Sequence, residues 1–196
     1  MPSKTRITKT LLDSWLWSFK RDDGYADFIR TLNREKLQPT QAMLDGQQFE
    51  NCVNGVLNGE TIDPSHKWYR GVTEMANRLQ GSQQQVTLFV ETEVDGQPFL
   101  LHGVLDYLRA GVIYDCKFSK NYHLNKYLDS TQHPLYLALV PEARRFEYLS
   151  CDGVYVYAER YPRNIVPPIE QTIKYFMDYL KKHELWEIYS EKWRTD

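Results

Sequence analysis

The chain has 196 residues, of which 42% are hydrophobic and 26% are charged, a composition that suits one folded domain and excludes an intrinsically disordered chain. Its formal net charge of -2 argues against a protein that coats nucleic acid through overall basicity, but it allows a local basic groove around an acidic site. The three cysteines form no Cys-x-x-Cys pair, which argues against a disulfide framework, a zinc ribbon and an iron–sulfur cluster.

The first third of the chain has the periodicity of α-helices. Apolar residues recur at helical spacing, and Gly, Pro, Ser, Thr or Asp bounds each run. The predicted helices are Leu11–Phe19, a segment that opens at Pro39-Thr40 and ends before Gly59, and a segment that follows Asp63-Pro64-Ser65 and ends at Gly81. Residues 1–82 are therefore predicted to be the helical part of the chain.

The residues that follow are richer in β-branched and aromatic side chains and contain Gly turn signals. The predicted strands are Val86–Val94, Pro98–Leu108, Gly111–Phe118, Phe146–Ser150 and Val154–Glu159. Helical spacing returns at Thr131–Val140 and at Ile169–Leu180, before an aromatic tail from Trp186 to Trp193.

This order of elements predicts an α/β protein of the mixed α+β kind, with a central mixed sheet flanked by helices. We expect a single domain over residues 1–196, with an α/β core at about 40–160 and C-terminal helices within 167–194. The sequence contains no stretch of membrane-spanning length and no signal-peptide cleavage pattern, so we expect a soluble, cytoplasmic protein with no membrane partner.

Two acids and a lysine mark the strongest chemical signal. In the strand that ends at Phe118, side chains alternate between faces, so Asp115 and Lys117 share one face. Asp106, at the end of the preceding strand, lies beside Asp115 if the two strands pair as a hairpin. The alternative is an ordinary solvated ion pair on an exposed strand edge, which would contribute little to stability.

Two carboxylates that lie so close repel each other unless a cation is placed between them. Because no histidine or thiol ligand set is nearby in the sequence, hard oxygen donors favour Mg²⁺ or Mn²⁺ over zinc. Such a cation polarises a phosphate oxygen and lowers the pKa of a water molecule. Lys117 can then hold that water or neutralise charge that develops on the phosphate.

Gln132 and Tyr136 lie four residues apart on one predicted helix, so they share a face. A glutamine amide and a tyrosine hydroxyl can contact a phosphate or a water molecule, although a helix-capping amide and a core aromatic residue are the simpler alternative. Lys120 and Lys126 follow the catalytic strand and can bind phosphates, or can belong to an ordinary solvated loop.

Taken together, the motifs resemble those of the PD-(D/E)xK nuclease superfamily, within it the RecB-like and phage-type exonucleases. The motifs that carry the resemblance are Glu50 on an early helix, Gly103-Val104-Leu105-Asp106, Asp115-Cys116-Lys117 and Gln132-His133-Pro134-Leu135-Tyr136. The resemblance covers about residues 40–140 and implies a restriction-endonuclease-like core. Several of these relatives carry a four-cysteine iron–sulfur cluster, which the three cysteines of this chain cannot form.

The resemblance also implies roles for individual residues. The implied metal ligands are Glu50, Asp106, Asp115 and the backbone carbonyl of Cys116, with Lys117 as the catalytic lysine and Gln132 and Tyr136 as substrate-positioning residues. Asp45, on the same predicted helix as Glu50, is the competing candidate for the early acid.

The expected function is an Mg²⁺- or Mn²⁺-dependent deoxyribonuclease, with exonuclease action in phage-type recombination or DNA repair as the first expectation. Its expected partners are DNA and a recombination protein, and no nucleotide cofactor is expected because no phosphate-binding loop is present. A structure-specific endonuclease, an inactive nuclease-fold binding module and an unrelated α/β binding module are the alternatives.

Overall fold

The computed structural model describes residues 4–195, which form one mixed sheet with helices on both faces. The strands are β1 Thr5–Thr8, β2 Gln83–Val94, β3 Gln97–Arg109, β4 Val112–Phe118, β5 Arg145–Cys151 and β6 Val156–Pro162. The helices are α1 Lys9–Trp17, α2 Gly24–Leu32, α3 Gln41–Leu57, α4 Tyr69–Leu79, α5 Gln132–Leu139, α6 Ile169–Lys182 and α7 Trp186–Lys192, with a 3-10 turn at Arg163–Ile165. The protein is therefore of the mixed α/β class that its sequence predicts.

The sheet is built around β3 and forks along one of its edges. β2 pairs antiparallel with β3 over nearly its whole length. The other edge of β3 pairs with β1 as far as His102 and with β4 from Tyr107 onward, so the stretch Gly103–Asp106 pairs with neither strand. Beyond the fork, β4 pairs parallel with β5, and β5 pairs antiparallel with β6.

Each face of the sheet has its own apolar core. Helices α1, α2, α5, α6 and α7 contribute buried residues to the first core, such as Leu12, Phe28, Leu135 and Phe176. Helices α3 and α4 contribute residues such as Phe49 to the second core, which covers the other face near β4, β5 and β6. The fork between β1 and β4 therefore lies between two packed layers, where a side chain is screened from bulk water.

Two hairpins form where the sequence predicts them. Asp95 and Gly96 have φ angles of 50° and 77°, and Ala110 and Gly111 have φ angles of 49° and 73°. Such left-handed pairs match the twist of the flanking strands, which makes the two-residue turn favourable. The second turn sets the register that places Tyr107 opposite Tyr114.

The predicted helical part over residues 1–82 contains the strand β1, which the prediction misses, and the helix α2 is also not predicted. β1 is only four residues long and is held by pairing with β3 and by the Arg6 amide, which donates to the Trp193 carbonyl at 2.7 Å. α2 begins at Gly24, a residue with low helix propensity, and no side chain caps its first turn. Both elements depend on tertiary contacts rather than on local signals.

The predicted domain limits include residues 1–3 and 196, which lie outside the described residues. Within residues 4–195, no helix is both long enough and apolar enough to cross a membrane. The aromatic tail lies in α7 and just after it, where Tyr189 and Trp193 are buried in the first core.

Candidate active site

Asp106 and Asp115 lie next to each other where β3 and β4 diverge. The ladder between these strands ends at Tyr107 and Tyr114, so the two aspartates occupy the next position on each strand. The Asp106 Oδ2 atom accepts a hydrogen bond from the backbone N–H of Cys116 at 3.1 Å. A side-chain carboxylate thus replaces the missing backbone bond, and the predicted proximity of the two acids is confirmed.

Asp115 is buried, with 1% of its surface exposed, which excludes the solvated surface pair as its explanation. Its Oδ2 atom lies 2.6 Å from the Lys117 Nζ atom, and its Oδ1 atom accepts a hydrogen bond from the Gln132 side-chain amide. The predicted face shared by Asp115 and Lys117 is therefore confirmed. A buried charge of this kind lowers stability unless it is paired or bound to a ligand.

Glu50 projects from α3 towards the same cluster. Its Oε1 atom accepts a hydrogen bond from the Gln85 side-chain amide at 3.0 Å. Burial raises the pKa of Glu50, and the negative charge of Asp115 raises it further. The competing acid, Asp45, instead forms an ion pair with Lys120 at 3.0 Å and accepts a hydrogen bond from Gln41. Geometry therefore places Glu50, and not Asp45, in the acidic cluster.

The cluster has more negative than positive charge. Burial raises the pKa of Asp106 well above its usual range, and the charges of Asp115 and Glu50 act in the same direction. Burial opposes protonation of Lys117, but the charges of Asp115 and Asp106 outweigh it and raise the pKa of Lys117. Three carboxylates therefore face one ammonium group, and a further cation would relieve their repulsion.

The donor atoms fit a hard divalent cation. Carboxylate oxygens are the ligands that Mg²⁺ and Mn²⁺ prefer. Asp115 Oδ2 and Gln132 Oε1 are buried and make no hydrogen bond within residues 4–195, although Oδ2 has its ion pair with Lys117. In the part of the chain that the structure describes, no three acidic, histidine or cysteine side chains already have the mutual geometry of a metal centre. Metal binding would therefore require the side chains of the cluster to adjust.

Helix α5 connects the glutamine–tyrosine motif to the glycine of the preceding motif. The Tyr136 hydroxyl donates to the Val104 carbonyl at 3.0 Å, at the unpaired stretch of β3. A Cβ atom at Gly103 would lie 2.8 Å from Tyr136 Cε1 and 2.7 Å from Leu139 Cδ1, closer than real contacts allow. Glycine at this position lets α5 approach β3, and the approach brings Gln132 to Asp115.

The predicted phosphate-binding lysines differ in their surroundings. Lys126 donates to the Asn121 carbonyl at 2.9 Å and also to the Ser119 hydroxyl. It lines a cleft of about 280 Å³ together with Lys117 and Gln132. Lys120 does not line this cleft, and its ammonium group is paired with Asp45.

Helix α1 and the residues after it form the opposite wall of this cleft, which the sequence analysis does not predict. The residues contributed are Lys9, Asp13, Leu16, Trp17 and Lys20. Their spacing of three or four residues indicates one helix face, and two lysines on such a face are the signal that was present in the sequence. α1 enters the site only because β1 pairs with β3 on the far side of the fork.

Two tyrosines of the loop between β4 and α5 stack on other tyrosines within the protein. Tyr122 stacks on Tyr157, and Tyr127 stacks on Tyr148, each with ring centroids 4.5 Å apart. Tyr127 also lines the cleft beside Lys117. Packing accounts for the position of both rings.

Comparison with known proteins identifies the fold alone. No protein-family model matches the sequence, and no curated protein matches it. Among solved structures, the crystal structure of SSO0001 is similar, with a TM-score of 0.54 and 15% sequence identity, over 94% of this chain and 79% of that chain. This likeness agrees with the mixed α/β architecture described above.

Proposed function

We propose that the protein is a metal-dependent deoxyribonuclease whose active site is the fork between β1 and β4. The observation that carries the proposal is the cluster of Asp106, Asp115 and Glu50 around the single ammonium group of Lys117. Asp115 is 1% exposed, and burial of its charge lowers the free energy of unfolding unless a cation compensates it. The motif resemblance to RecB-like and phage-type exonucleases supports the same function.

The carboxylates of Glu50, Asp106 and Asp115, with the Cys116 carbonyl, would hold Mg²⁺ or Mn²⁺. When bound, such an ion polarises a phosphate oxygen and lowers the pKa of a water molecule. The water oxygen would attack phosphorus, the bond to the 3′ oxygen would break, and that oxygen would take a proton from solvent, which leaves a 5′-phosphate and a 3′-hydroxyl group. The proton lost by the water passes to solvent.

Lys117 acts as a cation in this scheme and not as a base. The charges of Asp115 and Asp106 raise its pKa against the effect of burial, so it remains protonated at neutral pH. An ammonium group at the edge of the cleft stabilises negative charge that develops on the phosphate. With 29% of its side chain exposed, Lys117 can be reached by a substrate.

Gln132 positions Asp115, and its buried Oε1 atom, which makes no hydrogen bond within residues 4–195, would accept one from a water molecule. Tyr136 holds the β3 backbone through Val104. Lys126 supplies positive charge in the cleft beside Lys117, where a DNA phosphate would lie. Lys120 would contact DNA only after it leaves Asp45.

Exonuclease action in recombination or DNA repair, with DNA and a recombination protein as partners, follows from the motif resemblance. The test is degradation of linear and closed-circular DNA in Mg²⁺ or Mn²⁺ by the wild type, Asp115→Ala and Lys117→Ala. Loss of linear DNA alone, abolished by both substitutions, is the expected result. Cleavage of circles would instead identify an endonuclease.

A matched pair on α3 tests the third acid. Glu50→Ala is expected to abolish cleavage, whereas Asp45→Ala, one turn or more away on the same helix, is expected to retain it. Equal effects of the two substitutions would contradict the assignment of Glu50. A folded wild type that neither binds metal nor cuts DNA would overturn the proposed function in favour of a binding module.

A further inference from the structure

Gln85, the third residue of β2, has an unusual backbone conformation. Its φ angle is 51°, in the left-handed region that residues with a Cβ atom rarely adopt. The ladder between β2 and β3 pairs Gln84 with Tyr107 and Val86 with Leu105 and omits the position between them. Gln85 therefore lies opposite Asp106, at the edge of the acidic cluster.

On both strands, side chains two residues apart across this position point to opposite faces of the sheet. Residues two apart on a regular strand point to the same face. Val86 and Leu105 pack in the first core, on the α5 side of the sheet. Gln84 contacts Asn58 just after α3, and Tyr107 packs in the second core. On β2 this inversion occurs across the left-handed residue Gln85.

Around this inversion, side chains of both strands make contacts at the acidic cluster. The Tyr107 hydroxyl donates to the Asn54 side chain at 2.6 Å, which ties α3 to β3 one turn after Glu50. Asp106 lies between Leu105 and Tyr107, where the facing direction changes, and its carboxylate accepts a hydrogen bond from the Cys116 N–H. The Gln85 amide itself donates to Glu50 Oε1 at 3.0 Å. Strained backbone that is retained beside a charged cluster is characteristic of functional sites.

We infer that Gln85 is a positioning residue that sets metal affinity through Glu50, an inference that rests on the proposed function. An amide can orient the carboxylate without neutralising it, whereas a lysine at the same place would compete with the metal for its charge. Glu50 lies on a different layer from Asp106 and Asp115. The Gln85 hydrogen bond connects that layer to the sheet beside Asp106.

The test compares Mn²⁺ binding by titration calorimetry in the wild type, Gln85→Gly, Glu50→Gln and the double variant. Glycine accepts the left-handed φ angle, so Gln85→Gly removes the amide and keeps the backbone. We expect about tenfold weaker Mn²⁺ binding for Gln85→Gly, as for loss of other groups that orient metal ligands. The double variant should bind no more weakly than Glu50→Gln alone, because Gln85 acts through Glu50.

Two controls separate positioning from a general loss of structure. Gln83→Gly, at an exposed position of the same strand, should leave Mn²⁺ affinity unchanged while weakening the strand. Gln85→Asn tolerates the left-handed conformation, but its amide is one methylene too short to reach Glu50, so it should reproduce the loss of affinity even if the glycine variant does not fold. Melting temperatures measured in EDTA report folding independently of metal.

The possible outcomes distinguish this inference from the proposed function. Wild-type Mn²⁺ binding that is unchanged in Gln85→Gly and Gln85→Asn would overturn the role of Gln85 and leave the nuclease proposal standing. A double variant that binds much more weakly than Glu50→Gln would show that Gln85 acts by another route. If the folded wild type binds no more Mn²⁺ than Asp115→Asn does, the proposed function fails, and the role of Gln85 fails with it.

Discussion

The neighbouring strands β4 and β5 each bury an acid, and the two acids differ in the charges that surround them. Glu147 on β5 is 4% exposed and is matched by two arginines, with Arg145 Nε at 2.5 Å and Arg160 Nε at 3.4 Å. Asp115 on β4 is 1% exposed, has one lysine and lies beside two further acids. Burial alone therefore does not mark a functional acid. The excess of like charge around Asp115 is what supports the proposed site there.

The largest expected difference between the two acids is in catalysis. Asp115→Asn should lower the cleavage rate by about 10³-fold, because it removes a carboxylate that would hold the metal ion. Glu147→Gln should leave the rate within about twofold, because its carboxylate is neutralised by arginines outside the cluster. Single-turnover cleavage of linear DNA in Mg²⁺ measures both. A comparable loss of cleavage rate in Glu147→Gln would contradict the proposed difference between the two acids.

His133, a buried residue next to the site, should make the free energy of unfolding depend on pH. Burial lowers its pKa from 6.5 to about 4, although the charge of Asp13 opposes the shift. Because the folded state resists protonation, its contribution is fully present above pH 6.5 and is lost as the pH falls towards 4. This single group should remove about 3 kcal/mol of unfolding free energy across that range.

The check is urea unfolding at pH 7 and pH 4.5 for the wild type and His133→Phe. Phenylalanine cannot titrate but can stack on Tyr161, whose ring lies 4.1 Å from that of His133. The variant should therefore lose less stability on acidification than the wild type. Parallel pH profiles for the two proteins would refute the assignment.

Substitution of Glu147 should affect stability rather than catalysis. Glu147→Gln should lower the unfolding free energy by about 2 kcal/mol, because a charge-assisted hydrogen bond is lost and two arginines remain without their partner. Both arginines are partly exposed, which limits the effect. Urea unfolding at pH 7 measures this loss, and Lys182→Gln, an exposed change on α6, is the control. Unchanged stability in Glu147→Gln would show that the ion pairs are dispensable.

The smallest expected effect has the opposite sign. Asp106→Asn should raise the unfolding free energy by about 1 kcal/mol at pH 7.5 without metal, because burial and the charge of Asp115 raise the pKa of Asp106 and make its ionised form unfavourable. The asparagine oxygen can still accept the Cys116 hydrogen bond. A raised pKa in the folded state gives stability that is present at low pH and lost as the pH rises. The gain should therefore vanish below about pH 4.

Thermal melts with EDTA and with Mg²⁺ complete this test. Mg²⁺ should raise the melting temperature of the wild type more than that of Asp106→Asn, since it binds the cluster only in the folded state. A variant that is less stable than the wild type at pH 7.5 in EDTA would contradict the proposed repulsion.

The parts of the site that the sequence predicts are those fixed by local geometry. A two-residue turn at Ala110-Gly111 sets the β3–β4 register, so the adjacency of Asp106 and Asp115 follows from strand alternation. Strand alternation likewise places Lys117 on the same face as Asp115. Gln132 can be named from its helix position, but its contact with Asp115 requires α5 to approach Gly103 closely.

The choice between Glu50 and Asp45 depends on distant residues. Both acids lie on α3, and the helix pattern alone does not separate them. The packing of α3 on the second core turns Glu50 to Gln85 and leaves Asp45 to Lys120. These partners lie 35 and 75 positions away in the chain, beyond the reach of any periodicity argument.

The sequence by itself determined the α/β class, the two hairpins and the pair of aspartates beside a lysine, because these rest on turn chemistry and on alternation along neighbouring strands. Tertiary structure alone decided that β1 and β4 share one edge of β3 and leave Gly103–Asp106 unpaired between them. It also decided that α1 lines the cleft and that Gln85 reaches Glu50. Those features arise from pairing and packing between segments far apart in the chain, whose energies no local pattern encodes.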